Sequence, residues 1–245
     1  MSERKHFGAF SLFGTAWRVV RRVGGKLSRG FVVCLLGVIA FGLLADEMGE
    51  GDTARFDALV REGINSFASS ALTPVMIFFS FVGDWPFLTF LGFAIFGFLL
   101  YIKWKREAVI FFITNIGELI LNLSLKGIYQ RQRPEAFFGY ELPPSYSFPS
   151  GHALGSFCFF GILAWIWAAN VKSTMGKIEI YVTAALLILS IGISRIYLGV
   201  HYPSDIVAGY LVATVWTLTV IFADRSLTKH RSSGFKQDEQ DMQDI

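Results

Sequence analysis

Long apolar stretches alternate with short polar connectors along most of the chain, and the connectors carry nearly all the charge. Dominantly apolar runs cover Phe31–Ala45, Pro86–Ile102, Ala108–Leu125, Ala153–Ala169, Ile180–Ile193 and Ile206–Ala223. A helix needs about 20 apolar residues to cross a bilayer, and in lipid a helix satisfies its own backbone. The runs therefore predict an all-α, polytopic membrane protein with six transmembrane helices, the first of them short for a full crossing. Ala71–Val82 is also apolar, but Gly83-Asp84-Trp85-Pro86 interrupts it. We read 71–82 as a partly embedded helix, with the second span starting at Pro86, a favoured first helical position. Trp85 and Trp104 bracket that span as interface anchors. Between the first run and this segment, Phe56, Leu59, Val60, Ile64 and Phe67 recur at helical spacing among the acids Asp46, Glu47, Glu50, Asp52, Asp57 and Glu62. That pattern predicts a short amphipathic helix on the membrane surface.

Composition supports this reading. Of 245 residues, 53% are hydrophobic and only 17% charged, too few charges for a soluble domain of this size. A net charge of +3 implies no nucleic-acid surface. Cys34 and Cys158 lie inside apolar runs, where they read as packing residues. The placement of basic residues says more than their number. Residues 1–30 hold Arg4, Lys5, Arg18, Arg21, Arg22, Lys26 and Arg29 against Glu3, and read as a basic segment before an uncleaved anchor. The 103–106 connector, Lys172, Lys177 and the start of the tail are basic too. The positive-inside bias puts all of these, and with six crossings both termini, in the cytoplasm. The expected organisation is a basic segment at 1–30, a membrane domain at 31–223 and a tail at 224–245 with the composition of a disordered segment.

Three polar clusters then fall together on the extracytoplasmic face: Lys126 to Arg133-Pro134, Pro149-Ser150-Gly151-His152, and Ser194-Arg195 to His201 and Asp205. Each residue alone has an ordinary explanation, such as a helix cap or a cation at a helix end. Those explanations leave their gathering at one face unaccounted for, and Lys126, Arg131 and Arg133 violate the positive-inside bias there. An anionic ligand accounts for both. Arg133 and Arg195 are forked donors for phosphate oxygens, and Lys126 adds a point charge. Ser150 offers a hydroxyl, and the amides of Gly151 and His152 sit at a helix start, where anions bind. Such a cage holds a tetrahedral dianion without a metal or other cofactor. Asp205, four residues after His201, can fix the imidazole tautomer of a nucleophile. His152 is then free to protonate the departing oxygen. Glu118, two turns before Lys126 on the same helix face, is an intramembrane acid and so a candidate substrate contact. Arg131, in the loop between the first two clusters, is a candidate head-group contact.

Taken together, Lys-x6-Arg-Pro, Pro-Ser-Gly-His and Ser-Arg-x5-His-x3-Asp resemble the three-part signature of the type-2 phosphatidic acid phosphatase superfamily. The six-span layout is similar to its bacterial lipid phosphatases. Every signature position is filled. The resemblance implies a helical-bundle catalytic core of the kind shared with haloperoxidases, and phosphate held by Lys126, Arg133, Ser150, Gly151, His152 and Arg195. It also implies a phosphohistidine on His201 and metal independence. The expected substrate is a phosphorylated membrane lipid of the phosphatidylglycerophosphate, phosphatidic acid or undecaprenyl pyrophosphate class. A lipid phosphotransferase using the same phosphoenzyme and a non-catalytic membrane scaffold are the alternatives. The pattern leaves the oligomeric state open.

Overall fold

The computed structural model describes residues 30–228 in full and the helical backbone from Ala9 to Gln243. The basic leader before Gly30 and the tail beyond Thr228, for which the sequence predicts a cytoplasmic segment and disorder, lie outside the fully described residues. The elements are α1 (Ala9–Glu50), α2 (Ala54–Asn65), α3 (Leu72–Val82), α4 (Trp85–Tyr101), α5 (Lys105–Tyr129), α6 (Gly151–Asn170), α7 (Thr174–Tyr197) and α8 (Pro203–Gln243). Five helices (α1 from Gly30, then α5, α6, α7 and α8) are long and apolar enough to cross a bilayer. The α3–α4 pair, bent by 52° at Gly83 and Asp84, brings the number to as many as six. The protein is an all-helical, multi-pass membrane protein.

The helix at the centre of the bundle is α6, packed between α5, α7 and α8, with α4 against α5 and α6, α3 against α7 and α1 against α8. Burial follows that order: 56% of the apolar window of α6 is enclosed, against 6% for α1. Outward-facing Phe90, Phe93, Ile120 and Leu186 are exposed side chains that lipid covers. Leu99, Ile110, Phe111, Phe159, Ile162, Ile166, Val220 and Ile221 fill one end of the bundle. That is also the end of the basic connectors, where Arg106 Nε donates 2.8 Å to Asp224 Oδ1. At the other end buried polar side chains gather beside Phe148, Leu198 and Val200: Lys126, Ser147, Ser150, Arg195, His201, Ser204 and Asp205.

The helix bounds differ from the apolar runs in an instructive way. α7 extends from Thr174 to Tyr197, well past Ile180–Ile193 at both ends. Its first turns carry Lys177 and Glu179, with Ser173 capping them by accepting 3.3 Å from Gly176 N. Its last turn carries Arg195 inward. The amphipathic helix expected around residues 56–67 is present as α2, with apolar side chains turned outward and one acid turned into the protein. Phe56, Leu59 and Phe67 are exposed, whereas Asp57 is buried.

Candidate active site

Four helix termini meet at the polar end of the bundle. α5 delivers Lys126 in its last turn, and the chain leaves through Gln130 in a left-handed conformation (φ 45°). Residues 130–150 then form a loop that returns to Ser150, the N-cap of α6, whose hydroxyl accepts 3.4 Å from Ala153 N. The end of α7 supplies Arg195, and the turn from Tyr197 to Pro203 supplies His201 ahead of α8. Gly151 opens α6 at a close approach, since a Cβ there would lie 2.8 Å from Asn122 Nδ2 on α5. The structure therefore brings Lys126, Arg133, Ser150, Gly151, His152, Arg195, His201 and Asp205 to one end of the bundle.

The ring of His201 is completely enclosed and held on both nitrogens. Nδ1 lies 3.2 Å from Asp205 Oδ2, and Arg133 Nη1 lies 3.0 Å from Nε2. A guanidinium can only donate, so Nε2 must be the acceptor and the proton must sit on Nδ1, directed at Asp205. The lone pair of Nε2 therefore faces the cations. Burial, reinforced by the Arg133 and Arg195 charges, holds the His201 imidazole well below its usual pKa, against the opposing pull of Asp205. Burial and then the charge of Arg195 also bring Arg133 down to about 10, with Asp205 opposing.

The cage cations are occupied by loop carbonyls. Arg133 Nε donates 2.7 Å to Ser145 O, and Nη1 donates 2.8 Å to Val200 O. Lys126 Nζ donates to Tyr146 O and, at 3.5 Å, to Ser147 O. Arg195, 1% exposed, donates from Nη1 to Ser80 Oγ on α3, while its Nε is buried with no partner. An orphaned buried donor on a guanidinium costs free energy unless an acceptor reaches it. Three cations converging with such a donor make a site for an anion with several oxygens.

Asp205 is held by more than His201. Its Oδ2 accepts 2.9 Å from Tyr202 N, a carboxylate reaching back to the start of its own helix. Ser147 Oγ also donates to it, and Arg131 Nη1 donates 2.7 Å to Oδ1. Arg131 does not reach out from a solvated loop toward a head group. Its guanidinium stacks 4.0 Å over Tyr202 and bridges to Asp57, with Nη2 2.8 Å from Asp57 Oδ2. Asp57 in turn accepts 2.8 Å from Ser204 N and 2.7 Å from Ser204 Oγ, capping α8 from outside the helix. The sequence gives no sign of this: Asp57 and Ser204 are 147 residues apart, Asp57 stands in no motif, and Ser204 fills an unspecified position of the third one.

His152, in the first turn of α6, places Nε2 2.9 Å from Asp84 Oδ1 in the break between α3 and α4. Glu118 lies deeper on α5, its carboxylate directed at Gly155 of α6, and no ion-pair partner stands beside it among the described residues.

Residues 107–226, which hold every one of these cage and triad residues, match the model of the PAP2 superfamily. The chain is 30% identical over 113 residues to phosphatidylglycerophosphatase B of Bacillus subtilis, covering 46% of this chain and 55% of that protein. It is also 30% identical over 135 residues to lipid A 1-phosphatase of Rhizobium johnstonii, covering 51% and 50%. The chain thus spans about half the length of the curated relatives it matches. In fold it is similar to the crystal structure of a transmembrane PAP2-type phosphatidylglycerolphosphate phosphatase from Bacillus subtilis, with a TM-score of 0.73 at 23% identity, over 79% of this chain and 96% of that one. Residues 107–226 are thus a PAP2 superfamily domain.

Proposed function

We propose that this protein is a metal-independent lipid phosphatase that removes a terminal phosphate from a membrane lipid through a phosphohistidine on His201. The observation that carries the reading is the forced tautomer of His201, with Nδ1–H on Asp205 and the Nε2 lone pair beside Arg133. An incoming phosphate draws Arg133 and Lys126 away from their loop carbonyls and takes the open Nε donor of Arg195. Together with the Gly151 and His152 amides, these groups neutralise charge on the equatorial oxygens as it develops. Nε2 attacks phosphorus, a P–N bond forms, and the P–O bond to the lipid breaks. His152 gives its proton to the departing oxygen, so the lipid leaves as an alcohol (or as a lipid monophosphate from a diphosphate). The ring of His201 is then cationic, and Asp205 stabilises it through Nδ1–H. Water attacks phosphorus while His152 takes its proton, the P–N bond breaks, and orthophosphate departs.

Relatives named for phosphatidylglycerophosphate and lipid A differ in head-group chemistry, but each presents a phosphate beside acyl chains. The same class is proposed here: phosphatidylglycerophosphate, phosphatidic acid or undecaprenyl pyrophosphate. The site lies at the bundle end opposite the Arg106–Asp224 pair and the other basic connectors, which supports an extracytoplasmic active site with cytoplasmic termini. The test is phosphate release by the purified protein in detergent from those three lipids. At least one should be hydrolysed by the wild type and none by His201→Ala. No release from any of them, or undiminished release by His201→Ala, would overturn the proposal.

A further inference from the structure

The interruption between α3 and α4 places an acid where it has an unused local role. Asp84 occupies the N-cap position of α4 (φ −71°, ψ 142°), where an aspartate ordinarily bonds a backbone amide of the first turn. It makes no such bond. Its carboxylate turns away from its own helix and lies 2.9 Å from His152 Nε2. The approach is off the line of the ring N–H, so the contact is not an aligned hydrogen bond, and it becomes an ion pair only when the ring is protonated. Gly83 makes the approach feasible. A Cβ there would sit 2.4 Å from Ile191 Cγ2 and 3.1 Å from His152 Cδ2, so any side chain would lift the corner off α6 and α7.

We propose that Asp84 is the positioning residue for His152: a counter-ion that holds the ring by its Nε2 side and stabilises the imidazolium that protonates the leaving oxygen. The two histidines of the site then each have a carboxylate, Asp205 for His201 and Asp84 for His152. The pairs differ in exposure, because the Asp84 side chain is 41% exposed whereas Asp205 is fully enclosed. The charged groups facing the His152 ring are Arg195 on α7, Arg133 in the loop and Asp84 in the break. Two of these are cations that disfavour an imidazolium, so Asp84 is the one group there that favours it. This division also gives the 52° bend in an otherwise spanning segment a chemical purpose.

The inference rests on the proposed role of His152 as general acid, and the experiment separates the two. Wild type, His152→Ala, Asp84→Asn and Asp84→Glu are compared on phosphatidic acid in detergent micelles and on p-nitrophenyl phosphate, whose leaving group needs little protonation. General-acid assistance is worth about 10²–10⁴-fold, and a half-exposed counter-ion supplies a fraction of it. Asp84→Asn should lose about 10-fold in kcat on phosphatidic acid but under about 3-fold on the aryl ester. The alkaline limb of its kcat/KM profile should move to lower pH, and Asp84→Glu should restore part of the loss. In the His152→Ala background, Asp84→Asn should cost nothing further. A purely structural residue would lower both activities alike and leave the pH profile in place, and that result overturns the inference. So does normal activity of Asp84→Asn on both substrates while His152→Ala shows the leaving-group contrast. Equal losses for His152→Ala on the two substrates would overturn the general-acid reading itself, and the Asp84 inference with it.

Discussion

Replacing Asp57 with alanine should damage the protein far more than its place on a surface helix suggests. The carboxylate accepts from Ser204 N at 2.8 Å, Ser204 Oγ at 2.7 Å and Arg131 Nη2 at 2.8 Å, and it is almost fully buried. Losing a helix N-cap costs about 0.5–2 kcal/mol. Removing one partner of a buried ion pair costs about 3–5 kcal/mol. Arg131 keeps Asp205 as a second counter-ion at 2.7 Å, which takes the ionic part to the low end. The sum is about 3.5–5 kcal/mol, or a fall of roughly 7–20 °C in the unfolding midpoint for a chain of this size. The activity loss has a separate cause. Without Asp57, the first turn of α8 loses its cap and Arg131 shifts toward Asp205, so the His201 ring is no longer held in line. A misplacement of about 1 Å can cost roughly 10²-fold in rate. The assay is retained folded protein after stepwise heating in detergent, with lipid phosphatase activity measured in parallel. Asp52→Ala, in the exposed turn just before α2, is the control and should shift the midpoint by no more than about 2 °C. Arg131→Met added to Asp57→Ala should cost less than the two changes separately, because the stranded charge goes with it. If Asp57→Ala behaved like Asp52→Ala, the Asp57–Arg131–Asp205 bridge would be a geometric coincidence.

On the proposed reading that Lys126, Arg133 and Arg195 meet the charge on phosphate, turnover should persist in excess EDTA and be inhibited by vanadate; loss of turnover restored by a divalent metal would contradict this. Single cysteines at Gln132 or Tyr140, in a background lacking Cys34 and Cys158, should react with impermeant thiol reagents in intact cells (with any outer membrane permeabilised), whereas one at Lys172 should not. The reverse pattern would invert the proposed orientation. His201 should titrate below 6.5 in histidine-labelled NMR spectra, and lower still in Asp205→Asn, since burial depresses it and Asp205 holds it up. The linked sign follows: the unfolded chain binds the proton first, so stability from neutral His201 is present above about pH 6.5 and lost as pH falls below it. A midpoint at or above 6.5 would refute the burial argument.

The meeting of the three clusters at one bundle end was legible because each cluster is contiguous in sequence and each sits where an apolar run ends. Lys126, Ser150, Arg195 and His201 could be placed at helix termini from hydropathy alone, and the bundle end they share follows from the alternating direction of the spans. What stayed hidden depends on contacts between distant segments. Asp57 reads as one acid among several on a surface helix, and only the fold turns it inward to cap α8. Arg131 reads as a candidate head-group contact for the same reason, because both of its carboxylate partners come from elsewhere. Ser80, inside an apolar run, gives no sign that it receives Arg195. Asp84 was visible as a helix breaker, but its direction toward His152 follows from the bend angle, which hydropathy does not encode. Helix ends were blurred where first turns carry polar residues, as at Thr174–Glu179 of α7.

The central claim is that phosphorus passes through Nε2 of His201. The direct measurement is a rapid acid-free quench of the enzyme with a ³²P-labelled terminal-phosphate lipid, followed by digestion and mapping of the labelled peptide. The account predicts label on His201, stable to alkali and lost in acid, absent from His201→Ala and increased in His152→Ala with an activated aryl phosphate, because hydrolysis of the intermediate then lacks its base. Label on any other residue, or full lipid turnover by His201→Ala, would contradict it.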